Sequence, residues 1–163
     1  IRRTYVVEVI HRAAASVQGR AASSPEITFA LDHAWADTDA GLLERALANL
    51  IDNAIRHGTP PPGSGRDVGV RVEAALTHDD PPRCRIRVID HGPGIPASER
   101  ERVFTAFHQY GDQHGSSTGV GLGLSVASGF VNAIGGTVIV ADTPGGGTTM
   151  VVSLPTSDAS GQP

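Results

Sequence analysis

Two asparagines one helical turn apart, Asn49 and Asn53, are the residues of this chain whose type and spacing point most directly to chemistry. At about 100° per residue they share one side of a predicted amphipathic helix whose opposite side is apolar. Asparagine is a mediocre helix former, and such local conflicts cluster at functional sites. Because carboxamide oxygens suit Mg²⁺, which takes further oxygens from water and phosphate, the pair indicates a Mg²⁺–phosphate site. A solvated polar face is the simpler alternative.

A glycine-rich heptapeptide, DHGPGIP over residues 90–96, follows directly on an apolar strand-like segment. Asp90 is therefore predicted at the end of a strand, beside a tight turn. Glycines allow a backbone to approach a ligand closely, and an ionised carboxylate accepts from an exocyclic amine such as that of adenine. The segment predicts a base pocket, with a surface turn and an incidental acid as the alternative.

A second glycine-rich segment, TGVGLGL over residues 118–124, opens another predicted helix. Backbone N–H groups and a helix N-terminus favour phosphate oxygens. The dinucleotide-binding fingerprint does not fit because the third glycine comes too early, and the Gly-Lys-Ser/Thr run of a Walker loop is missing. A helix-entry hinge is the structural alternative.

Hydrophobic periodicity and turn residues predict the elements that must position these segments. Asp37 or Thr38 is expected to cap the asparagine helix, and Ser98, with Glu101 at the capping-box position, is expected to cap a short helix. The elements in order are a helix over 6–17, a strand over 26–31, the asparagine helix ending at Gly58, a hairpin of strands over 68–74 and 83–90, the short helix over 98–104, a helix over 123–134 and a closing hairpin of strands over 137–141 and 148–154.

The length of 163 residues predicts one domain over 1–155, with a mobile loop over 109–119 and a disordered tail over 156–163. A net charge of −4 argues against a general nucleic-acid or acidic-membrane surface. The single cysteine, Cys84, excludes an internal disulfide and is expected to be buried in a strand. Since neither a membrane span nor a signal peptide is evident, we expect a soluble chain without membrane contact.

In this order and spacing, the three segments resemble the GHKL ATPase superfamily, and within it the catalytic ATP-binding domain of sensor histidine kinases. The asparagine helix is similar to the family's N box, DHGPGIP to its first glycine box, VFTAF to its F box and TGVGLGL to its second glycine box. The resemblance covers about residues 5–155. The segments GVGLGLSVASGFVNAIGG and ADTPGGGTTM look most like potassium-sensor kinases of the KdpD type.

The resemblance implies an α+β two-layer sandwich of the Bergerat type, with a mixed sheet of about five strands, three helices on one face and a flexible ATP lid. It also implies Mg²⁺ and ATP as cofactors. Asn49, Asn53 and Arg56 would be catalytic, the asparagines holding Mg²⁺ and Asp90 accepting from the adenine amino group. The other implied nucleotide contacts are His57 near the phosphates, Gly92, Gly94, Ile95 and Thr148 around the base, Phe107 in the lid, and Gly119, Val120, Gly121, Leu122, Gly123 and Leu124 at the phosphate end. Phe104 and Phe107 would anchor the lid.

Position 49 separates two reactions within the superfamily. The members that hydrolyse ATP have a glutamate there as general base for water, whereas an amide cannot take a proton. The expected reaction is therefore transfer of the γ-phosphoryl group to a histidine, catalysed by positioning and charge neutralisation. Two alternatives stay open: a degenerate nucleotide-binding regulatory module without efficient transfer, and a serine kinase of the anti-sigma-factor type.

The acceptor histidine is expected on another domain, because none of the seven histidines has the following Glu or Asp and Leu-Arg of a phosphoacceptor helix. The implied partners are thus the dimerisation domain of the same full-length kinase and, downstream, a response regulator, with no nucleic acid. The histidines also lack zinc-ligand spacing. The resemblance implies a cytoplasmic location, as part of a membrane-bound sensor.

A lid arginine common in the family is replaced here, since Phe107 is followed by His108 and Gln109 where Phe-Tyr-Arg is usual. A cationic group at this position stabilises charge on the transferred phosphoryl group. We expect Gln109→Arg to raise the rate of phosphotransfer to a supplied acceptor domain. An unchanged rate would show that the lid needs no such clamp.

Overall fold

The computed structural model describes residues 1–19, 24–105 and 123–157. The predicted lid loop and most of the predicted tail fall outside these ranges. Within them the chain forms three α-helices, two short 3₁₀ turns and seven strands. The helices are α1 (Val6–Val17), α2 (Ala40–His57) and α3 (Gly123–Ala133). The strands are β1 (Arg2–Tyr5), β2 (Ile27–Leu31), β3 (Trp35–Thr38), β4 (Val70–Leu76), β5 (Arg83–Ile89), β6 (Thr137–Asp142) and β7 (Thr148–Pro155).

Five strands form one mixed sheet in the order β2-β4-β5-β7-β6. β2 runs parallel to β4, and the other neighbours are antiparallel. The β4–β5 and β6–β7 hairpins predicted from alternating hydrophobic residues are confirmed, as is the mixed sheet. Because β5 and β7 are neighbours at the centre of the sheet, the end of β5 lies beside the start of β7, where Ile89 pairs with Thr149.

The helices bury their apolar sides against one another and the sheet. α2 packs against α1 on one flank and α3 on the other, and its leucines at 43, 47 and 50 are fully buried. Alternate residues of the central strands, among them Val72, Ile86 and Val152, join the same core. The predicted α+β two-layer sandwich is thereby confirmed, and Cys84 lies in this core as expected.

A two-stranded ribbon, β1 with β3, corrects the predicted start of the asparagine helix. Asp37 and Thr38 belong to β3, since pairing with β1 keeps the chain extended through Thr38. The cap is Asp39, whose carboxylate accepts from the backbone N–H of Leu42 at 2.9 Å. The predicted end of α2 is confirmed, because Gly58 is the C-cap and donates its N–H to the carbonyl of Ala54.

The predicted short helix over 98–104 is wrong in type. Two 3₁₀ turns, Ala97–Glu99 and Arg102–Phe104, take its place, and Ser98 lies inside the first turn instead of capping it. The residue before this turn is Pro96, which has no side-chain hydrogen bond to offer. So short a segment gains too few α-helical bonds to offset nucleation, and single i→i+3 turns result.

The other helix boundaries agree with the sequence to within one residue. α3 ends at Ala133, and the N–H of Gly136 then reaches the carbonyl of Val131 at 2.9 Å while Gly135 has φ of +75°. This is a left-handed helix end that glycine adopts readily. Within the described residues, none of the helices combines the length and apolar character needed to cross a membrane.

Candidate functional site

The carboxylate of Asp90 is the centre of the described site. Asp90 follows β5 and is only 6% exposed. Its Oδ1 accepts from the N–H of Gly92 and from the N–H of Thr148, both at 3.0 Å. Its own N–H donates to the carbonyl of Thr148 at 2.9 Å. Asp90 is thus fixed by its own loop and by the start of β7, so its carboxylate orientation is set by backbone groups.

The second carboxylate oxygen of Asp90 is the free one. Both side-chain hydrogen bonds fall on Oδ1, and in the part of the chain that the structure describes none reaches Oδ2. Among the described residues, Oδ2 is not one of the fully enclosed side-chain atoms that lack a partner, so it stays accessible to an incoming donor. The arrangement therefore suits a ligand that brings an N–H group to this point.

Opposing effects act on the acidity of Asp90. Burial raises the pKa of its carboxyl above the ordinary value, since a desolvated charge is disfavoured. The amides of Thr148 and Gly92 lower the pKa, as do the nearby imidazoles of His91 and His57, without overcoming the effect of burial. Ionisation of this carboxyl thus costs folding free energy, and shifts of this kind are common at binding sites.

Three glycines allow the backbone to close around Asp90. A Cβ at Gly58 would lie 2.4 Å from the Cβ of Asp90, and one at Gly147 would lie 2.1 Å from its carbonyl oxygen. A Cβ at Gly92 would lie 2.8 Å from the backbone of Gly58. No side chain fits at these separations, so glycine is required for the end of α2, the loop after β5 and the turn before β7 to meet here.

The rest of the first glycine box lines the same region. Gly94 has φ of +82°, and a Cβ there would lie 3.4 Å from the carbonyl oxygen of Gly147. Ile95 is half-buried and packs against the core. The structure thus brings Asp90, Gly92, Gly94 and Thr148 together, with Ile95 following in the same loop.

The asparagine helix contributes a second group of polar side chains. Asn49 and Asn53 are half-buried on α2, and neither carboxamide makes a hydrogen bond within the described ranges. Arg56 is engaged with Asp52 at 3.0 Å and its side chain is 51% exposed. His57 is also exposed, although its carbonyl lies close to Gly92. Two neutral oxygen ligands therefore remain available on α2, which fits a hard cation that is shared with phosphate.

Few residues of the predicted phosphate end are described. Gly123 and Leu124 open α3, where Leu124 packs against the core and Gly123 is exposed. Phe104 is half-buried against the core in the second 3₁₀ turn. The predicted contacts Phe107, Gly119, Val120, Gly121 and Leu122 lie outside the described residues.

Three participants were missed by the sequence reasoning. The sequence predicts Gly58 only as the end of a helix, and Gly147 and Arg66 fall between the predicted elements. Arg66 donates to the carbonyl of Gly92 at 2.8 Å. A glycine directly after a helix and another directly before a strand are weak signals alone, because ordinary caps and turns also use them.

The buried cysteine takes no part in this chemistry. Burial raises the pKa of the Cys84 thiol to about 12, so the thiol is protonated at neutral pH. A protonated, enclosed thiol is a poor nucleophile and a poor metal ligand.

Comparison with known proteins identifies the family. The sequence profile described as "Histidine kinase-, DNA gyrase B-, and HSP90-like ATPase" matches residues 38–158, which include α2, the Asp90 loop and the closing hairpin. The chain therefore belongs to this family of ATPases. The expected GHKL superfamily membership is confirmed.

The similar proteins within the family include sensor kinases. The chain is 45% identical over 160 residues to the sensor protein KdpD of Mycobacterium tuberculosis (strain CDC 1551 / Oshkosh), a match covering 94% of this chain and 17% of that protein. The chain thus spans about a sixth of that relative's length. The similarity agrees with the expected histidine kinase catalytic domain and with the KdpD type within it.

Solved structures agree with the fold. The mycobacterial sensor histidine kinase MprB superposes with a TM-score of 0.73 at 32% identity, covering 94% of this chain and 96% of that one. Full-length ShkA in complex with AMPPNP superposes with a TM-score of 0.72 at 27% identity, covering 98% of this chain and 32% of that one. The two-layer architecture is therefore that of histidine kinase structures.

The raised pKa of Asp90 predicts that this side chain lowers stability at neutral pH. Asp90→Asn keeps an Oδ1 acceptor for both amides and removes the buried charge, so we expect an equal or higher thermal midpoint at pH 7. A carboxyl with a raised folded pKa stabilises the fold only as pH falls through that pKa and the group takes up its proton. The difference in thermal midpoint between Asp90→Asn and the parent chain, measured by calorimetry, should therefore become smaller as the pH is lowered. A variant that melts lower at pH 7 would contradict this.

Proposed function

We propose that this chain binds Mg·ATP and donates the γ-phosphoryl group to a histidine on a separate dimerisation domain, as the catalytic part of a two-component sensor histidine kinase. The observation that carries the proposal is the buried Asp90 carboxylate, aimed by two backbone amides and left with Oδ2 unbonded among the described residues. An adenine amino group is a donor of the right kind for that oxygen. Family membership and similarity to sensor kinases support the same proposal.

The base end of the site selects adenine by one directed hydrogen bond and by shape. The amino group donates to Asp90 Oδ2, while Gly92 and Gly94 leave room for the ring and Ile95 covers it. Thr148 contributes chiefly through its backbone N–H, which holds Oδ1. A site built around a buried acceptor discriminates strongly against a base that lacks the donor, because the acceptor is then left unpaired.

The phosphate end uses the carboxamides of α2. Asn53, with Asn49 one turn earlier, presents neutral oxygens that suit Mg²⁺, and their lack of hydrogen bonds in the described part of the chain leaves them available. When bound, Mg²⁺ neutralises charge that develops on the phosphates. Arg56 is held toward Asp52 by their ion pair, so its approach to the phosphates requires that pair to loosen. Gly123 and Leu124 at the start of α3 complete the described part of this end.

The amide at position 49 favours phosphoryl transfer over hydrolysis of ATP. A carboxamide cannot remove a proton from water, so Asn49 gives hydrolysis no general base. The γ-phosphoryl group instead passes to an imidazole nitrogen supplied by another domain, with release of ADP. The roles of Asn49, Asn53 and Arg56 are to bind, orient and neutralise.

The phosphoryl acceptor and the sensory parts are proposed to lie in other domains of the full-length protein. The chain spans 17% of the length of its KdpD relative, which leaves room in such proteins for a phosphoacceptor domain and sensory parts. We propose that residues 1–155 act as one ATP-binding domain of a cytoplasmic kinase region belonging to a membrane-bound sensor, with a response regulator as the downstream acceptor.

The Asp90 hydrogen bond can be tested with an analogue. Purine riboside triphosphate lacks only the 6-amino group of ATP, so the ratio of the two dissociation constants, measured by calorimetry, reports this contact. A hydrogen bond to a charged group predicts an ATP preference of about 10- to 100-fold in the parent chain. Asp90→Asn should abolish the preference, because its NH₂ faces the amino group of adenine. An unaltered preference in the variant would contradict the proposed role.

The metal role of α2 can be tested with matched asparagines. Asn53→Ala should weaken ATP binding by about 10-fold or more in the presence of Mg²⁺, with little change when EDTA replaces the metal. Asn132→Ala, at an exposed position of α3, is the control and should bind as the parent does. Equal losses with and without Mg²⁺ would assign Asn53 a role other than metal binding.

A further inference from the structure

The segment between α2 and β4, residues 59–69, contributes an arginine to the wall of the base pocket. Arg66 Nη1 donates to the carbonyl of Gly92 at 2.8 Å and to that of His91 at 3.4 Å. Both carbonyls belong to the loop that follows Asp90. The segment is itself ordered by bonds from Ser64 N–H to the carbonyl of Pro61 and from Arg66 N–H to Ser64 Oγ.

The other side of the Arg66 guanidinium meets the turn before β7. A Cβ at Gly146 would lie 2.2 Å from Nη1, so the backbone of the turn packs directly against the guanidinium. Gly146 has φ of +115°, which also favours glycine. Arg66 therefore sits between two segments, and those are the segments whose amides, at Gly92 and Thr148, hold Asp90 Oδ1.

One peptide unit connects Arg66 to Asp90. The carbonyl of His91 and the N–H of Gly92 belong to the same planar group, so they turn together. Asp90 Oδ1 accepts from the N–H end at 3.0 Å, and Arg66 donates to the carbonyl end through the longer of its two bonds, at 3.4 Å. The shorter bond of Arg66, at 2.8 Å, fixes the carbonyl of Gly92 in the next peptide, so Arg66 restrains the backbone on both sides of Gly92. Rotation of the peptide between His91 and Gly92 would break the bonds at both of its ends and turn a carbonyl toward the carboxylate.

We propose that Arg66 is a positioning residue for adenine recognition. It fixes the peptide between His91 and Gly92, and through that peptide the orientation of the Asp90 carboxylate. The inference rests on the proposed function, since it assigns Arg66 to the adenine end of the same site. Arg66 thereby acts on the preference for a 6-amino purine, which is the ratio of two dissociation constants.

The test measures the dissociation constants of ATP and purine riboside triphosphate for four forms of the full chain. Arg66→Met keeps the length of the side chain and removes its donors, whereas Arg66→Lys keeps a charged donor. Arg12→Met is the matched control, because Arg12 is an exposed arginine of α1 that pairs with Glu44. All measurements are made well below the thermal midpoint of each variant.

The expected result is a split between the variants. Arg66→Met lowers the ATP preference by about threefold or more, part of the 10- to 100-fold that a charged hydrogen bond supplies. Arg66→Lys retains most of the preference, and Arg12→Met retains all of it. A merely structural role would lower the thermal midpoint and leave the ratio of the two constants unchanged.

Two results would overturn the proposal, and they are distinguishable. An unchanged ratio in Arg66→Met, in a parent chain that prefers ATP, overturns the role of Arg66 alone. Absence of ATP binding, or of any preference, in the parent chain overturns the proposed function and the role of Arg66 with it. If Arg66→Met does not fold, Arg66→Gln, which removes the charge and shortens the side chain, takes its place. A lowered ATP preference in Arg66→Gln supports the proposal, and a preference equal to that of the parent chain overturns it.

Discussion

The double connection between Asp90 and Thr148 is the interaction on which the site depends. One bond joins their backbones and the other joins the Thr148 N–H to the Asp90 carboxylate, so the neighbouring ends of β5 and β7 are locked together with a charge between them. Glycines at 58, 92 and 147 make this approach possible. The fold thus keeps a buried hydrogen-bond acceptor, and the raised pKa of Asp90 shows that its ionisation lowers the free energy of unfolding. In the proposed function, a ligand N–H that donates to Oδ2 offsets part of this penalty.

The same contact links the two ends of the site. Gly58, at the end of α2, packs directly against Asp90 and Gly92. The helix that carries Asn49 and Asn53 is therefore fixed in position relative to Asp90. In the proposed function, a nucleotide that places its base on Asp90 extends its phosphates toward the carboxamides of α2, where no general base is present. Transfer of a phosphoryl group to a histidine of another domain needs positioning of the nucleotide and no general base for water. An asparagine at position 49 therefore agrees with the similarity to sensor kinases.

Much of the fold and the centre of the site could be predicted from the sequence. Alternating residues in β4, β5 and β7 and the 3.6-residue repeat of α1 and α2 are strong signals, because each element buries one face. The ribbon of β1 and β3 was not predicted, because four-residue strands show little periodicity. Since β3 extends through Thr38, the cap of α2 is Asp39 and not the predicted Asp37 or Thr38. Arg66 could not be predicted at all, since its contacts are to backbone carbonyls 25 and 26 residues away and need no particular partner side chain.

The most direct test of the central claim follows the γ-phosphate of labelled ATP in a single turnover. The chain is mixed with Mg²⁺ and with the isolated dimerisation domain of the similar KdpD protein, and protein-bound label and free phosphate are measured separately. The account predicts acid-labile label on the histidine of the added domain, with little free phosphate and no label on the chain itself. Label appearing chiefly as free phosphate, or on a histidine of this chain, would contradict it.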